Sequence, residues 1–301
     1  MEELIRRLRQ ICADGQLFEN EPMSRRTTMR VGGCADLFFL PDSAGQLAQA
    51  LAWAGEAGVD TLLMGNGSNL IVRDGGVRAL VIALGERFSR IRVEGETLWA
   101  QAGASLSRVA GAAQEAGLSG LEFAAGIPGT LGGGVAMNAG AYGGQLSDVL
   151  TDAQALLNGE EVTLACEEMR LGYRTSAPLI EGYPVLSARF RLTRDDPEAI
   201  LTRMKRMNAQ RREKQPLNFP SAGSVFKRPE GHFAGALIEN AGLKGLRVGG
   251  AQVSEKHAGF IVNTGEATAT DVLQLIETVR QRVWEHSGVR LETEVRIVGE
   301  D

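Results

Sequence analysis

Apolar residues recur every three or four positions in several stretches of the chain, a spacing typical of amphipathic helices. The predicted helices cover residues 2–12, 44–57, 105–117, 197–213 and 270–286, with a shorter one near 233–241. The helix at 197 has the clearest start, because Asp195 and Asp196 can cap it and Pro197 fits its first turn. We place a domain boundary at residue 195 for this reason.

Short apolar runs bounded by glycine, proline and polar turn residues predict strands between these helices. The runs lie in 27–41, 59–64, 79–103, 149–193 and 257–263, with several strands in each of the two long ranges. A further run, 289–297, alternates apolar and charged residues at every position, which predicts a terminal strand with one buried face. Helices and strands in this order indicate an α+β fold.

Composition and charge exclude several classes of protein. The chain has 301 residues, of which 44% are hydrophobic, so it can bury a large core in two or three domains. A net charge of -5 argues against nucleic acid or an anionic membrane as a partner. Cys12, Cys34 and Cys166 lack zinc-site spacing and fit reduced thiols, and no apolar run reaches 18 residues. We expect a cytoplasmic protein without a metal site, a monomer or a weak oligomer.

Glycine is concentrated in two stretches that are candidates for binding an anion. Residues 120–144 contain nine glycines, and residues 65–69 read GNGSN. Main chain without Cβ atoms lets N–H groups converge on a group such as a pyrophosphate. GNGSN alone is more typical of a tight turn, and the second glycine stretch about 55 residues later favours an anion site. GNGSN is not a Rossmann fingerprint, because its third glycine is absent and no helix pattern follows. No P-loop motif occurs either.

Five segments follow one another in this order: MGNGSNLIV at 64–72, GIPGTLGGGVAMNAGAYGG at 126–144, YRTS at 173–176, SAGSVFKRP at 221–229 and LETEVRI at 291–297. Together they resemble the UDP-N-acetylenolpyruvoylglucosamine reductase family of bacterial peptidoglycan synthesis. The resemblance spans roughly 27–298. It implies an FAD-binding fold of the vanillyl-alcohol oxidase and para-cresol methylhydroxylase type, with two flavin-binding subdomains at 1–78 and 79–195. A substrate-binding α+β domain would follow at 196–301.

The resemblance also implies a reaction in two halves. NADPH reduces bound FAD, which then reduces UDP-N-acetylglucosamine enolpyruvate to UDP-N-acetylmuramate. The residues assigned to FAD are Gly65, Asn66, Gly67, Ser68, Asn69, Gly126, Ile127, Pro128, Gly129, Thr130, Gly133, Asn138, Gly140, Ala141 and Tyr142. Neither 59–72 nor 120–144 contains a histidine or cysteine, so we expect non-covalent FAD.

Three residues carry the chemistry that the resemblance implies. Arg174 would bind and polarise the substrate carboxylate, Ser224 would give a proton to carbon, and Glu294 would lie beside the carboxylate, protonated or orienting Arg174. Without the resemblance, Arg174 is consistent with a surface arginine, Ser224 with a loop serine and Glu294 with the outer face of a strand.

Lys214, Lys227 and Tyr173 are assigned to substrate binding. Lys214 and Lys227 are predicted to form a basic cluster around the Ser224 loop that suits the UDP diphosphate, together with Arg211, Arg212 and Arg228. The charges of RREK at 211–214 are also consistent with a solvated helix end.

The chain departs from the family pattern at a few positions. Thr293 stands where relatives commonly have proline, and Arg228 where some have asparagine. The passage from Arg174 to Phe190 leaves no room for the inserted tyrosine loop of one subclass, so the chain resembles the shorter subclass. Another FAD-dependent sugar or lactone oxidoreductase remains an alternative, as does a non-catalytic nucleotide-binding protein. His232, His257 and His286 match no catalytic or metal spacing, which favours surface or packing roles.

Overall fold

The computed structural model describes residues 1–301 and divides into two compact units. The first unit comprises Met1–Phe18, Leu37–Asn66 and Ala79–Arg211. The second comprises Glu19–Asp36, Gly67–Arg78 and Arg212–Asp301. Both units mix helices and strands, which confirms the α+β class.

Eight helices form where the apolar spacing predicts them or in the turns between strands. They are α1 Glu2–Ile11, α2 Ala44–Glu56, α3 Leu106–Glu115, α4 Leu131–Ala136, α5 Ala177–Glu181, α6 Pro197–Lys214, α7 Ala234–Asn240 and α8 Ala269–Ser287. Asp196 accepts hydrogen bonds from the N–H groups of Glu198 and Ala199, which confirms the predicted start of α6. None of the eight combines the length and apolar character that crossing a membrane requires.

The strands are short; eight of the nineteen lie within the predicted ranges and three more overlap them. They are β1 Leu17–Pro22, β2 Cys34–Phe39, β3 Thr61–Met64, β4 Leu70–Val72, β5 Val77–Ala83, β6 Ile91–Glu94, β7 Thr97–Gln101, β8 Leu118–Ser119, β9 Gly140–Ala141, β10 Gly144–Gln145, β11 Leu150–Leu157, β12 Glu160–Ala165, β13 Val185–Arg191, β14 Thr193–Arg194, β15 Ser221–Ser224, β16 Arg247–Val248, β17 Ala251–Val253, β18 Phe260–Asn263 and β19 Arg296–Val298.

The first unit contains an antiparallel five-stranded sheet in the order β12-β11-β13-β7-β6. Alternate side chains of the sheet share one buried cluster with α3, because successive residues of a strand point to opposite faces. Leu98, Ala188 and Phe190 of the sheet pack in that cluster with Leu106 and Val109 of α3. This packing holds the N-terminal end of the long glycine stretch in place.

A second sheet, ordered β1-β2-β5-β3, carries the short glycine loop after its edge strand β3. Strands β3 and β5 are parallel, with Leu62 opposite Val81. Leu8 of α1 and Leu47 of α2 are fully buried in the same cluster as Ile82 of β5. Gly65 therefore follows directly from a packed strand, which fixes where the loop begins.

The second unit is built around the antiparallel sheet β15-β18-β17-β16 and helix α8. The apolar face of α8 packs with Val253 and Ile261 of the sheet through Val272, Leu275 and Val279. Thr268 and Asp271 form a capping box at its start, and Gly288, at φ 69°, ends it. The sheet presents Ser224 at the end of β15.

The predicted strand over 289–297 is wrong for most of its length. Only Arg296–Val298 forms a strand, β19, which pairs in parallel with β4. Residues 291–295 instead run beside 225–227, where the Glu294 N–H donates to the Val225 carbonyl at 2.7 Å. Leu291 and Val295 are buried, whereas Ile297 is 37% exposed. Burial therefore alternates over 291–295 without a continuous ladder of strand hydrogen bonds. The reason is that the neighbouring segment, 225–227, is a loop.

The strand predicted to follow the Gly-Gly turn within 27–41 is confirmed, as Cys34–Phe39. Gly32 has φ 102°, and a Cβ there would lie 2.4 Å from the Val72 carbonyl oxygen. The main chain at Gly32 is therefore shaped by a close approach to β4, in a conformation that a strand does not allow.

Candidate functional site

The two glycine stretches meet in the first unit. A Cβ on Gly65 would lie 2.0 Å from Oγ1 of Thr130, which is buried. A Cβ on Gly132 would lie 2.8 Å from the Cβ of Ala102. The N–H groups of Gly65 and Asn66 donate to no group of the protein. Closely approaching main chain with available donors suits an anionic group such as a pyrophosphate.

Helix α6 places two side chains against the long glycine stretch. A Cβ on Gly126 would lie 2.4 Å from Oδ1 of Asn208 and 3.1 Å from Nη1 of Arg211. Burial lowers the pKa of Arg211 below its ordinary value, and Tyr142 opposes this shift. Because a guanidinium stays protonated in proteins, Arg211 brings a positive charge to the glycine stretch.

Sequence reasoning grouped Arg211 with the basic residues around Ser224 and did not connect it to Gly126. The helical spacing could have revealed the connection. Met204, Asn208 and Arg211 stand at i, i+4 and i+7 and therefore share a face of α6, and Met204 is buried.

Glu122 anchors the start of the glycine stretch to α6. Its carboxylate accepts hydrogen bonds from the Gly120 N–H at 2.7 Å, the Ser119 hydroxyl at 2.8 Å and the Arg203 guanidinium at 2.8 Å. Burial raises the pKa of Glu122, but these hydrogen bonds outweigh burial and hold the pKa below its usual range. The ionised carboxylate therefore stabilises the fold.

Glu122→Gln is expected to reduce the free energy of unfolding at pH 7 by about 1–3 kcal/mol, since Arg203 loses a charged partner. Because the pKa of Glu122 is depressed in the folded state, its contribution is present above the unfolded value of about 4.3. It is lost as pH falls through the lower folded value. Urea unfolding at a series of pH values should give a smaller acid-induced loss of stability for the variant than for the wild type. Parallel curves for the two proteins would contradict the role assigned to Glu122.

Gly65→Ala is expected to lower the amount of bound cofactor and to destabilise the protein by about 1–3 kcal/mol, because Thr130 is buried and has no room to move. The matched control is Gly111→Ala in α3, where an added Cβ meets nothing within 4 Å. That change should stabilise by about 0.5–1 kcal/mol, since alanine favours a helix interior. Thermal melts and the absorbance of bound flavin in the purified proteins measure both effects. Equal behaviour of the two variants would refute the close approach at Gly65.

Arg174 lies in a tight turn of the first unit. Gly172 and Thr175 exchange main-chain hydrogen bonds around it, and Arg174 has φ 56°. Its guanidinium lies 5.4 Å from the ring centre of Tyr173, and Nη2 donates to the Gly140 carbonyl at 3.4 Å. A left-handed conformation is uncommon for arginine, although Arg30 and Arg170 also adopt it in this chain. The turn brings Arg174 beside the β9–β10 hairpin that ends the glycine stretch.

The other two predicted catalytic residues are brought together in the second unit. Ser224 ends β15, and the next residue, Val225, accepts a hydrogen bond from the Glu294 N–H. The side-chain amide of Asn69 donates to the Glu294 carbonyl at 3.1 Å. Ser224, Glu294 and the second half of the GNGSN loop therefore lie on adjoining segments.

The basic residues predicted around Ser224 do not form a single cluster. Lys227 pairs with Glu292 at 3.2 Å, and both side chains are exposed. Arg228 lies 3.9 Å from the ring centre of Phe233. Lys214 is exposed at the end of α6. An exposed ion pair contributes little to folding stability. Lys227 can therefore leave Glu292 for an anionic ligand at a small cost in free energy.

His257, for which the sequence favoured a surface or packing role, lies near Ser224. A Cβ on Gly259 would lie 3.2 Å from Nδ1 of His257 and 3.4 Å from Oγ of Ser224. The Gly259 N–H donates to His257 Nδ1 at 3.1 Å, and burial lowers the pKa of the imidazole. The imidazole therefore packs neutral beside the strand end that carries Ser224.

Known protein families match both the N-terminal and the C-terminal parts of the chain. A family model described as an FAD binding domain matches residues 35–165, which confirms the expected FAD-binding fold. A second, described as UDP-N-acetylenolpyruvoylglucosamine reductase, C-terminal domain, matches residues 215–298. The UDP-N-acetylenolpyruvoylglucosamine reductase of Alkaliphilus oremlandii is 51% identical, covering 94% of this chain and 93% of the relative.

Two further comparisons cover almost the entire chain. The enzyme of that name from Exiguobacterium sibiricum is 48% identical over 100% of this chain and 99% of its own length. The crystal structure of UDP-N-acetylenolpyruvylglucosamine reductase from Thermus caldophilus superposes with a TM-score of 0.81 at 38% identity. It covers 94% of this chain and 98% of that one.

Proposed function

The chain belongs to the UDP-N-acetylenolpyruvoylglucosamine reductase family, and from this premise we propose that it reduces UDP-N-acetylglucosamine enolpyruvate to UDP-N-acetylmuramate with NADPH. The product is a precursor of peptidoglycan. The observation that carries the proposal is Arg174, a cation held in a left-handed turn beside the hairpin of an FAD-type glycine stretch. An arginine in that place suits a substrate that carries a carboxylate.

The cofactor fits the residues that are present. The close approach of Gly65 to Thr130, the N–H groups of Gly65 and Asn66, and the positive charge of Arg211 beside Gly126 support a pyrophosphate site here. We propose that FAD is held there without a covalent bond, by 65–69 and 126–142. When bound, FAD supplies the hydride that the enolpyruvyl double bond accepts.

Arg174 is proposed to bind the carboxylate of the enolpyruvyl group. Hydride addition at the terminal carbon leaves negative charge on the neighbouring carbon, and this charge spreads into the attached carboxylate. A planar guanidinium with paired donors stabilises that charge more strongly than it stabilises the starting carboxylate. Arg174 therefore lowers the barrier as well as binding the substrate.

Ser224 is proposed to give its hydroxyl proton to the carbon next to the carboxylate. A hydroxyl is a weak acid, but an enolate carbon is a strong base, and Lys227 three residues later offers a positive charge for the serine oxygen that remains. Glu294, on the segment beside Val225, is proposed to lie near the carboxylate and to orient Arg174 or to share a proton with the carboxylate. Tyr173, Lys214 and Lys227 are proposed to bind the rest of the substrate, the lysines at the diphosphate.

The assignment of FAD binding and substrate binding to different parts of the chain is also a proposal. We propose that 1–78 and 79–195 bind FAD and that 196–301 bind the substrate. Each compact unit of the structure combines three separate segments of the sequence, whereas the proposed functional ranges are continuous. The bounds of the two divisions therefore differ.

One anaerobic titration tests the function. We expect the purified protein to be yellow, NADPH to bleach it, and UDP-N-acetylglucosamine enolpyruvate to restore the colour. An aldose or a lactone should not restore it. Bleaching by an alcohol substrate in place of NADPH would favour a sugar or lactone oxidoreductase, and a colourless protein that binds only nucleotide would favour a non-catalytic role.

A further inference from the structure

Asn138 is a buried polar residue whose side chain makes several hydrogen bonds inside the first unit. It is only 3% exposed and has φ 40°. Its Oδ1 accepts from the Ser147 N–H at 3.0 Å, while Nδ2 lies 3.2 Å from the Ser147 hydroxyl and 3.3 Å from Oε1 of Gln145. These contacts tie Asn138 to the last residue of β10 and to the middle of the helical turn that follows it. The side-chain amide is therefore fully engaged within the protein.

The same amide reaches the turn that carries Arg174. Nδ2 of Asn138 donates to the Gly172 carbonyl at 3.2 Å. Gly172 is one of the two residues whose main-chain hydrogen bonds close the turn around Arg174, the other being Thr175. One side of the turn is thus fixed by Asn138, 34 positions earlier in the chain.

Ser176 fixes the other side. It is completely buried, and its hydroxyl donates to the Ala136 carbonyl at 2.7 Å. Ala136 is the last residue of α4, two positions before Asn138. Both flanks of a strained turn are consequently fastened to a single short segment, 136–138, of the glycine stretch. The two hydrogen bonds therefore fix both flanks of the turn in which Arg174 is left-handed.

We propose that Asn138 and Ser176 are positioning residues for Arg174, and that they hold its guanidinium in register with the glycine stretch through the Gly172 carbonyl and the end of α4. The inference rests on the proposed function for the step in which Arg174 meets the carboxylate. Asparagine is required at 138 because it tolerates a left-handed conformation and offers a donor and an acceptor on one short side chain. An aspartate at 138 would keep the oxygen that accepts from the Ser147 N–H. Its second carboxylate oxygen would face the Gly172 carbonyl, to which it has no proton to donate.

The test compares Asn138→Asp with Asn158→Asp. Asn158 has φ 52° and is exposed in the hairpin between β11 and β12, so it is a matched control. In stopped-flow experiments Asn138→Asp should slow flavin reoxidation by the enolpyruvyl substrate about 10–100-fold, because misplacing a catalytic group by about 1 Å has effects of that size. Ser176 is not among the residues proposed to bind FAD, so in Ser176→Ala flavin reduction by NADPH should change less than about 3-fold while reoxidation slows. Asn158→Asp should match the wild type in both steps.

A double-mutant cycle separates positioning from general damage. If Asn138 acts through Arg174, Asn138→Asp should slow reoxidation no further in an Arg174→Ala background. Full additivity of the two changes would overturn the proposal. Should Asn138→Asp fail to fold, Ser176→Ala takes its place in the same cycle, with the same expected pattern and a smaller effect.

Hydrogen exchange tests the positioning role without any substrate, so its outcome does not depend on the proposed activity. Hydrogen exchange followed by mass spectrometry should show faster exchange over 171–176 in Asn138→Asp than in the wild type, with α3 and β13 unchanged. Unchanged exchange over 171–176 would overturn the positioning role, whatever the substrate. A wild-type protein that does not reoxidise with the enolpyruvyl substrate, but whose variant shows the local change in exchange, would refute the proposed function and leave the positioning role standing.

Discussion

Ser224→Ala is expected to leave flavin reduction by NADPH nearly intact while slowing reoxidation by the enolpyruvyl substrate by about 10²–10⁴-fold, the range typical of general acid catalysis. The hydroxyl is required only when the substrate carbon accepts a proton, so the two half-reactions separate cleanly. The side chain lies at a strand end, half-buried, and its hydroxyl makes only a long contact, 3.4 Å, with the Phe226 carbonyl. Removing it should therefore cost little stability.

Anaerobic stopped-flow measurements of each half-reaction test this prediction. Ser221→Ala is the control, because Ser221 begins the same strand, β15, and has no proposed role. It should behave as the wild type in both steps. Equal slowing of both half-reactions in Ser224→Ala would rule out the proton-donor role.

Arg174→Ala is expected to reduce kcat/KM for the enolpyruvyl substrate by about 10²–10³-fold, the effect of removing one donor to a developing oxyanion. Arg174→Lys should recover only part of the loss, because a lysine ammonium does not offer the paired donors of a guanidinium. Much of the loss should appear in kcat, since the carboxylate gains charge in the transition state and Arg174 binds it more tightly there.

Arg170→Ala is the matched control for Arg174. Arg170 lies four residues earlier, also has a left-handed conformation at φ 46°, and forms an exposed ion pair with Glu181. Because an exposed pair contributes little, this variant should retain normal kinetics and nearly normal stability. Binding of UDP-N-acetylglucosamine, which has no enolpyruvyl carboxylate, should be the same in Arg174→Ala and the wild type. Weaker binding of that ligand would place Arg174 elsewhere on the substrate.

Much of the architecture was predictable because it follows from local patterns. The helices α2, α6 and α8 carry an apolar face and a start signal in sequence, and they form within one or two residues of the expected bounds. The glycine stretches were identifiable because bare backbone is costly unless it allows a close approach, and Gly65 against Thr130 is such an approach.

The rest depended on contacts between residues far apart in the chain. The alternation at 289–297 predicted a strand, yet the partner of residues 291–295 is a loop, and no local pattern specifies a partner. The charge of Arg211 placed it in the predicted basic cluster around Ser224, whereas its position on α6 directs it to Gly126. The link from Asn138 to Gly172 joins two turns through a single side-chain amide, and the sequence gives no sign of such a bond.

The late pairing of β19 with β4 has a consequence for synthesis on the ribosome. Asn69 and Glu294, which that pairing brings together, are 225 positions apart, so the Gly67–Asn69 half of the short glycine loop emerges long before its partner exists. Loop closure over such a distance is slow, and β4 lacks this partner until residues 296–298 are translated. Nascent chains of this protein should therefore acquire protease resistance in the second unit only after residues 296–298 have left the ribosome. Chaperones that shield open strand edges should speed the maturation of the second unit more than that of the first.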